Sequence, residues 1–370
     1  MSFEQKTGMR FENDLDGSEE LETTTLNHLD WSNKQARILT GGGKAEEYYK
    51  SERGFPYKQE ELPHYYLMHG NTSETFKEWR SSKEPCSIIS GCWRRPLFAG
   101  GWEFSTDREE YTFNLQTNNL FVDLRIPRSR NQLLNLDGIS SFDDLSPSQL
   151  TLYARQHIFA GFSVFGHENG RPLCTRHHCI DWNFVGSPRT RPNKWWIEIN
   201  DDATKWKEFS YATDENYQHY YFEIWQRLPT ASEPRLAFRK VANCERDGVL
   251  VIVGDHFNYA ISRKLNGREK SYSQVNLVGL VDEAVQAGHV STARLYLSIE
   301  GGHGRISKEW ELDCAIPPWH EGSKLWKTGD ANIEGNSIND FQLVWNNERW
   351  DVYDCSFDSL DKVRCFLFGA

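Results

Sequence analysis

Polar and apolar residues alternate along many short stretches of this chain, at the spacing of two that is typical of β-strands. About a dozen such stretches follow one another from Gly91 onward, with turns close together. Only 148–157, which follows a Ser146-Pro147 start signal, and 275–288 favour helices. This order predicts a mainly β fold: an antiparallel, lipocalin-like β-barrel, as one large or two stacked barrels, with short helices and an N-terminal extension.

Two of the predicted strands carry a polar face of unusual composition. In 120–126, Phe121, Asp123 and Arg125 share one face, opposite four aliphatic residues. In 217–228 the corresponding face holds His219, Tyr221, Glu223, Trp225 and Arg227. A strand that faces water seldom places large aromatic rings among its ions, so we expect both faces to line the barrel interior. Solvated outer faces are the alternative reading.

A third stretch, 173–183, contains two adjacent histidines. Strict alternation puts His177 and Asp181 on one face and Arg176 and His178 on the other. Either histidine could act as a general acid or base, because the pKa of histidine lies near neutral pH. In a regular strand Asp181 lies about 13 Å from His177, at roughly 3.3 Å per residue, so no local His–Asp pair is expected.

Together these faces predict a binding site for a small organic molecule inside the barrel. Arg125 would anchor a carboxylate or carbonyl oxygen, and His177 or His178 would move a proton. Glu223 and Tyr221 would orient that proton transfer. The other predicted substrate-binding residues are Asp123, Phe121, Trp225, Arg227 and Asp181. Each histidine could equally be an ordinary polar residue with its hydrogen bonds satisfied.

The sequence motifs do not favour a metal site, a thiol nucleophile or a phosphate-binding loop. Cysteine and histidine crowd segment 167–179, but metal-ligand spacings such as Cys-x2-Cys are missing, so no metal site is predicted there. Cys179 is more typical of packing than of a thiol nucleophile. Segment 301–304 (Gly-Gly-His-Gly) joins predicted strands 292–301 and 304–315 with no following helix, which indicates a hairpin turn rather than a phosphate loop. No cofactor is predicted.

We predict structural roles for three turn-rich segments. Segment 253–257 predicts a tight bend with His256 at its rim. Segment 317–322 predicts a lid over one barrel end, with Trp319 as its plug. The dipeptide 346–347 (Asn-Asn) predicts the turn of a last hairpin.

The length of 370 residues allows one or two domains. We predict an acidic, partly disordered arm over 1–85, since the first 30 residues hold eight acidic and two basic residues. An aromatic patch at 48–68 within it is expected to dock. Residues 86–370 form the predicted barrel domain, divisible into 86–230 and 231–370.

Charge and composition limit the kinds of binding partner that the sequence favours. A net charge of −11 disfavours nucleic acid and anionic membranes as partners. The chain lacks a run of about 18 apolar residues and a secretory start, and its 8 cysteines are scattered. These features predict a soluble cytoplasmic protein with a small-molecule ligand or substrate. Homo-oligomerisation stays open.

At Gly100-Gly101-Trp102 the chain resembles the lipocalin-like (calycin-type) barrel proteins, whose first strand starts with a Gly-x-Trp motif. The resemblance covers about 91 to 265 and implies a ligand cavity in the barrel mouth. We therefore expect a cofactor-independent acid/base enzyme of the isomerase, lyase or cyclase type. The alternatives are a non-catalytic carrier or sensor of lipocalin type and a protein-interaction module that uses the patch at 48–68.

Overall fold

The computed structural model describes residues 87–100, 104–183, 185, 193–213, 219–229, 232–240, 246–264, 277–327 and 329–369. The acidic arm and the aromatic patch predicted for 1–85 lie outside this part of the chain. The described residues are mainly β, as the alternation predicts, with few short helices.

The strands and helices are numbered in chain order. The strands of the first sheet are Gly91–Gly100 (β1), Phe104–Thr106 (β2), Glu110–Gln116 (β3), Leu120–Pro127 (β4), His157–Glu168 (β5), Arg171–Asp181 (β6), Asn193–Ile199 (β7), Lys205–Ser210 (β8) and Tyr221–Arg227 (β9). The strands of the second sheet are Arg235–Lys240 (β10), Gly248–Val253 (β11), His256–Ile261 (β12), Glu300–Arg305 (β13), Glu311–Ala315 (β14), Ala331–Ser337 (β15), Asp340–Trp345 (β16) and Glu348–Cys355 (β17). The α-helices are Arg130–Leu134 (α1), Pro147–Tyr153 (α2), Leu277–Gln286 (α3), Val290–Tyr296 (α4) and Leu360–Phe368 (α5).

The first sheet is a closed antiparallel barrel of eight strands. Strands β3 to β9 pair in sequence order, and β1 joins β3 on one side and β9 on the other. The short β2 pairs with the end of β1. Closure removes the free edges that an open sheet would present, and it encloses the side chains at every second position of each strand.

The second sheet has the strand order β14-β13-β12-β11-β10-β17-β16-β15. No pairing joins its first and last strands in the described residues. The described residues therefore form one closed eight-stranded barrel plus a second antiparallel sheet of eight strands.

Both faces of β11, a central strand of the second sheet, are covered. Its residues are all buried and almost all aliphatic, as expected for a strand covered on both faces. Val249 and Val251 belong to the core shared with the barrel wall, which includes Leu115 and Val122. The alternate residues, such as Leu250, belong to a second core that is closed by α5. The barrel and the second sheet thus share one hydrophobic core.

The helices α1 to α4 border the shared core, and their buried side chains include Leu134, Leu150, Val281 and Tyr296. The start of α2 is as predicted, because Ser146 accepts a hydrogen bond from the Gln149 backbone in a capping box. None of the helices in the described ranges has the length and apolarity that crossing a bilayer requires.

Two strand predictions are wrong at glycines. The first strand ends at Gly100 instead of beginning there, and the other two residues of the Gly-x-Trp match lie outside the described residues. Segment 301–304 lies inside β13 and is not a turn. A Cβ on Gly301 would lie 2.7 Å from the carbonyl oxygen of Tyr259 and 2.2 Å from Cδ1 of Ile158 on the barrel wall. Gly301 thus lets β13 approach the barrel closely.

Two predictions for other segments are wrong, and a third is confirmed. Half of the predicted strand 292–301 is helix α4, and α5 and β15 were not predicted. Trp319 does not plug the barrel, because its ring packs at 5.0 Å from Phe142 among the helices outside the barrel. The hairpin turn at 346–347 is confirmed, since Asn346 and Asn347 have φ of 54° and 59°.

Candidate functional site in the barrel interior

One end of the barrel interior is filled by tryptophan. The rings of Trp206 and Trp225 stack at 5.3 Å, and Trp93 meets Trp206 edge-on at 6.0 Å. All three are fully or almost fully buried, and they form one cluster with Ile89 and Ile197. This tryptophan floor closes one end of the barrel, so a ligand would have to occupy the space above it.

A layer of paired ions lies above the tryptophan floor. Arg125 on β4 binds Asp123 through two hydrogen bonds, Nε to Oδ1 at 2.9 Å and Nη2 to Oδ2 at 3.1 Å. Its Nη1 lies 3.4 Å from Glu223 Oε1 on β9. Strands β4 and β9 are not neighbours in the sheet. This contact therefore spans the interior.

Two more arginines complete the ion layer. Arg95 on β1 donates to Glu110 Oε2 at 2.6 Å and to Glu223 Oε1 at 3.0 Å. Arg176 on β6 lies 3.4 Å from Asp123 Oδ2. All of these side chains are buried except that of Arg125, which is 20% exposed. Arg125 is thus the member of the layer that solvent reaches best.

The charges in the layer balance. Arg95, Arg125 and Arg176 face Glu110, Asp123 and Glu223, which gives three charges of each sign. Burial by itself would raise the pKa of Asp123, but the charges and hydrogen bonds of the arginines outweigh it and lower that pKa. The same carboxylates hold the pKa of Arg125 well above its usual range, although burial opposes them.

Glu208 is a fourth acidic residue of the interior and has no arginine of its own. It lies opposite Glu223 in the β8–β9 register, and the Tyr221 hydroxyl donates to its Oε1 at 3.0 Å. Burial and the neighbouring charge of Glu223 raise the pKa of Glu208 to about 8. Its carboxyl is therefore protonated at neutral pH, which lets it donate a proton.

Several buried polar atoms near the ion layer have no hydrogen-bond partner among the described residues. They are Glu223 Oε2, Arg176 Nε, Gln116 Nε2, and Asn114 Nδ2 and Oδ1. Buried polar groups are nearly always paired, by protein, water or ligand. Because Asn114 pairs across the ladder with Asp123, its side chain points to the same interior. These atoms could bind the polar groups of a ligand.

Aromatic rings lie beside the arginines. The guanidinium carbon of Arg176 lies 4.1 Å from the centre of the Phe121 ring and 4.8 Å from that of Trp195. Arg125 lies 5.9 Å from the Phe159 ring, and the rings of Phe98 and Tyr221 stack at 5.7 Å. Such rings hold the guanidinium groups in place and offer apolar contact to a ligand.

A β-bulge brings a histidine and an aspartate together. The β5–β6 register shifts between Ala160 and Gly161, so that His178 and Asp181 share the inner face. His178 Nδ1 then lies 2.7 Å from Asp181 Oδ2. The sequence prediction that no local His–Asp pair forms is wrong, because it assumed strict alternation through Cys179.

Gly161 makes this bulge possible. A Cβ at Gly161 would lie 2.0 Å from the carbonyl oxygen of His177 and 2.8 Å from the amide nitrogen of Cys179. A side chain at this position would push the two strands apart. The geometry of the His178–Asp181 pair therefore depends on a glycine in the neighbouring strand.

The structure brings together most of the predicted site residues, with two exceptions. Phe121, Asp123, Arg125, His178, Asp181, Tyr221 and Glu223 line the interior above the tryptophan floor, and Trp225 belongs to the floor itself. His177 is buried on the opposite face of β6 from Arg176 and His178. Arg227 pairs with Trp93 in the ladder and lies 4.7 Å from its ring. Both are separated from the ion layer.

The polar interior residues that the sequence analysis missed include Arg95, Glu110, Asn114, Gln116, Arg176 and Glu208. The signal for Glu208 was present, since Trp206 and Glu208 alternate with lysines in β8 and face the strand of Glu223. Of the cysteines considered for chemistry, Cys174 packs in the cluster of the tryptophan floor. In the ranges that the structure describes, no potential metal cluster includes Cys174, Cys179 or the histidines of 167–179.

No known protein family matches the chain, and no curated protein sequence matches it either. Among solved structures, an uncharacterised protein from Saccharomyces cerevisiae, YLR301w, is similar with a TM-score of 0.42 and 13% sequence identity. That alignment covers 73% of this chain and all of the yeast chain.

Proposed function

We propose that this protein is a cofactor-independent acid/base enzyme of the isomerase, lyase or cyclase type, which acts on a small organic molecule inside its barrel. The observation that carries the proposal is the Glu208–Glu223 pair. Two carboxyl groups face each other on adjacent strands, and only Glu223 is matched by arginines. Carboxyl groups whose environments separate their pKa values can divide the acid and base roles between them.

Glu208 takes the role of the general acid. It is protonated at neutral pH, and the Tyr221 hydroxyl fixes one of its oxygens. Glu223 forms ion pairs with two arginines, and its Oε2 has no hydrogen-bond partner in the described chain. A carbonyl compound bound between them could receive a proton on oxygen from Glu208 while Glu223 Oε2 removes one from carbon.

The balanced charges favour an uncharged substrate. Three hydrogen bonds engage Arg125, all to Asp123 and Glu223, and its charge is matched by theirs. A guanidinium has five N–H groups. Arg125 can therefore still donate to a carbonyl oxygen, but a substrate carboxylate would compete with two carboxylates already in place.

His178 supplies a second route for protons. Asp181 fixes its Nδ1, and Asn193 Nδ2 lies 3.4 Å from its Nε2. An aspartate that holds the ring in one tautomer is a common support for histidine in proton transfer. Of the two predicted histidines, His178 is therefore the one we assign to catalysis.

The second candidate function is a lipocalin-type carrier or sensor without turnover. The closed barrel of eight strands and the aromatic rings beside Arg125 and Arg176 favour it, because they suit binding as well as catalysis. Both functions need the same interior, so only turnover separates them.

Purified protein is to be incubated with a small-molecule extract of the source cells and followed by mass spectrometry. We expect one compound to be replaced by an isomer or by a product that has lost a small neutral molecule. Glu208→Gln should abolish the conversion while the compound still binds. Glu198→Gln, an exposed glutamate on β7, is the matched control and should convert normally. Binding without conversion by the wild type would favour the carrier.

A further inference from the structure

A second cluster of chemically active side chains lies outside the barrel interior. The potential ligand atoms of Cys92, His256 and His303 lie within 4.8 Å of one another, and all three residues are buried. Cys92 is on β1 of the barrel wall, whereas His256 and His303 are on β12 and β13 of the second sheet. The cluster thus sits where the barrel and the second sheet meet.

Each imidazole in the cluster has one nitrogen committed to a hydrogen bond. His256 Nε2 lies 3.0 Å from the carbonyl oxygen of Pro229, so it carries the proton and donates. His303 Nδ1 lies 2.8 Å from Asn258 Oδ1. The amide of Asn258 donates to two backbone carbonyls of the barrel wall, which leaves its oxygen as the acceptor for His303.

The other nitrogen of each imidazole is consequently a lone-pair donor. His256 Nδ1 is buried and has no hydrogen-bond partner in the described residues. For His303 the remaining nitrogen is Nε2. Because Nδ1 donates its proton to Asn258, this Nε2 carries the lone pair. Neutral imidazole is the form of histidine that binds metals.

We propose that Cys92, His256 and His303 bind one zinc-type transition-metal ion that joins the barrel to the second sheet. A thiolate and two imidazoles form a ligand set that suits zinc, with a fourth position for water. Metal-bound histidines usually donate their second N–H to a carbonyl or an amide oxygen, as His256 and His303 do here.

The required rearrangement is small. Ligand atoms around tetrahedral zinc lie roughly 3.3–3.8 Å apart, given bonds of about 2.0–2.3 Å. The potential ligand atoms of Cys92, His256 and His303 lie within 4.8 Å of one another. Side-chain rotations that move each of these atoms by about an ångström therefore suffice. Binding forms one S–metal bond and two N–metal bonds, and the thiol proton of Cys92 leaves to solvent.

The site is distinct from the proposed catalytic site. Cys92 lies in the hydrophobic core outside the barrel, whereas its neighbour Trp93 lies in the cluster of the tryptophan floor. The His303 ring stacks at 3.8 Å on Phe113, which is also on the outer face of the barrel wall. The metal would therefore hold two sheets together and take no part in proton transfer.

Full-length protein, freed of metal by dialysis against a chelator, is to be titrated with Co²⁺ as an optical substitute for zinc. We expect one ion per chain and a thiolate-to-cobalt charge-transfer band in the near ultraviolet. Zn²⁺ should displace the cobalt and remove the band. Folded wild-type protein that binds no ion at an equimolar concentration would overturn the proposal.

Variants assign the ligands. Cys92→Ala should abolish the charge-transfer band, and His256→Ala and His303→Ala should each weaken Co²⁺ binding by at least about 100-fold. Cys174→Ala removes an equally buried thiol outside the cluster and should keep the band. X-ray absorption of the zinc-loaded wild type needs no variant. One sulfur and two imidazole nitrogens are expected, and a first shell without sulfur would refute the site.

Discussion

Arg125 and Glu223 meet across the barrel interior, with Nη1 of one 3.4 Å from Oε1 of the other. They come from β4 and β9, which are 98 residues apart in the chain and do not pair in the sheet. Glu223 also binds Arg95, and Arg125 also binds Asp123. The contact thus links two ion pairs into one network.

Asp123→Asn should destabilise the protein strongly. The change removes the carboxylate that Arg125 and Arg176 share, so both guanidinium groups lose this counter-charge in a buried site. Loss of one partner from a buried pair typically lowers the free energy of unfolding by about 3–5 kcal/mol. Urea unfolding measures this. Asp107→Asn, which removes an exposed pair with Arg94, should cost about 1 kcal/mol or less. Equal costs would contradict the burial argument.

The pH dependence of the Asp123 contribution has a definite sign. The folded pKa is lowered, so the stabilisation is present above the unfolded pKa of about 3.9 and is lost as pH falls through the folded value. The difference in unfolding free energy between wild type and Asp123→Asn should therefore shrink in acid. A constant difference from pH 7 down to the acid transition would contradict the lowered pKa.

Glu208→Gln should change how stability depends on pH. The folded pKa of about 8 lies above the unfolded value of about 4.3, so the folded state keeps a proton that the unfolded state releases. The stabilisation that Glu208 contributes to the folded state is fully present below the unfolded pKa. As pH rises to about 8 this stabilisation is lost, by at most about 1.4 kcal/mol per pH unit. Relative to wild type, Glu208→Gln should gain stability from pH 5 to pH 8.

Urea midpoints at pH 5, 6.5 and 8 test this relation. Parallel curves for the wild type and Glu208→Gln would show that the carboxyl titrates normally. Turnover should fall above pH 8 as well, because the general acid then loses its proton.

His178→Gln should reduce turnover by about 100-fold or more, whereas His177→Gln should leave it nearly unchanged. The two neighbours point to opposite faces of β6, and His178 lies on the inner face, where its Nδ1 meets Asp181. Initial rates on the identified substrate measure the effect, with circular dichroism to verify folding. Equal losses of turnover in the two folded variants would show that His178 has no specific catalytic role.

Gly161→Ala should disturb the β-bulge and lower both stability and turnover. A Cβ at this position would lie 2.0 Å from the carbonyl oxygen of His177, and such overpacking typically costs about 1–3 kcal/mol. Gly166→Ala on the same strand is the matched control, because its Cβ would meet no atom within 4 Å. A histidine NMR signal for the His178–Asp181 bond should change only in Gly161→Ala.

Alternation was sufficient to predict which side chains of β4 and β9 enter the barrel. It placed Asp123 and Arg125 on one face of β4 and Tyr221 and Glu223 on one face of β9, and these faces do meet. The mixture of rings and ions was the decisive signal. A face exposed to water has no reason to combine them, whereas a ligand site needs both.

The other features of the site and fold could not be predicted in this way, because they depend on contacts between strands that are distant in the sequence. Alternation cannot indicate a bulge, because the extra residue at Cys179 is recognised only from its partner strand at Gly161. The cluster of Cys92, His256 and His303 comes from three strands of two sheets, separated by up to about two hundred residues in the sequence. The glycines of β13 resemble a turn in the sequence, but in the structure a side chain at Gly301 would meet the barrel wall, and side chains at Gly302 and Gly304 would meet neighbouring strands of the second sheet.

The tryptophan floor has a consequence for the kinetics. Because Trp93, Trp206 and Trp225 block one end, a molecule must leave the barrel by the opening through which it entered. Departing and arriving molecules then exclude each other. Product inhibition should be competitive, and dissociation of the product rather than bond rearrangement should be the slowest event at saturation.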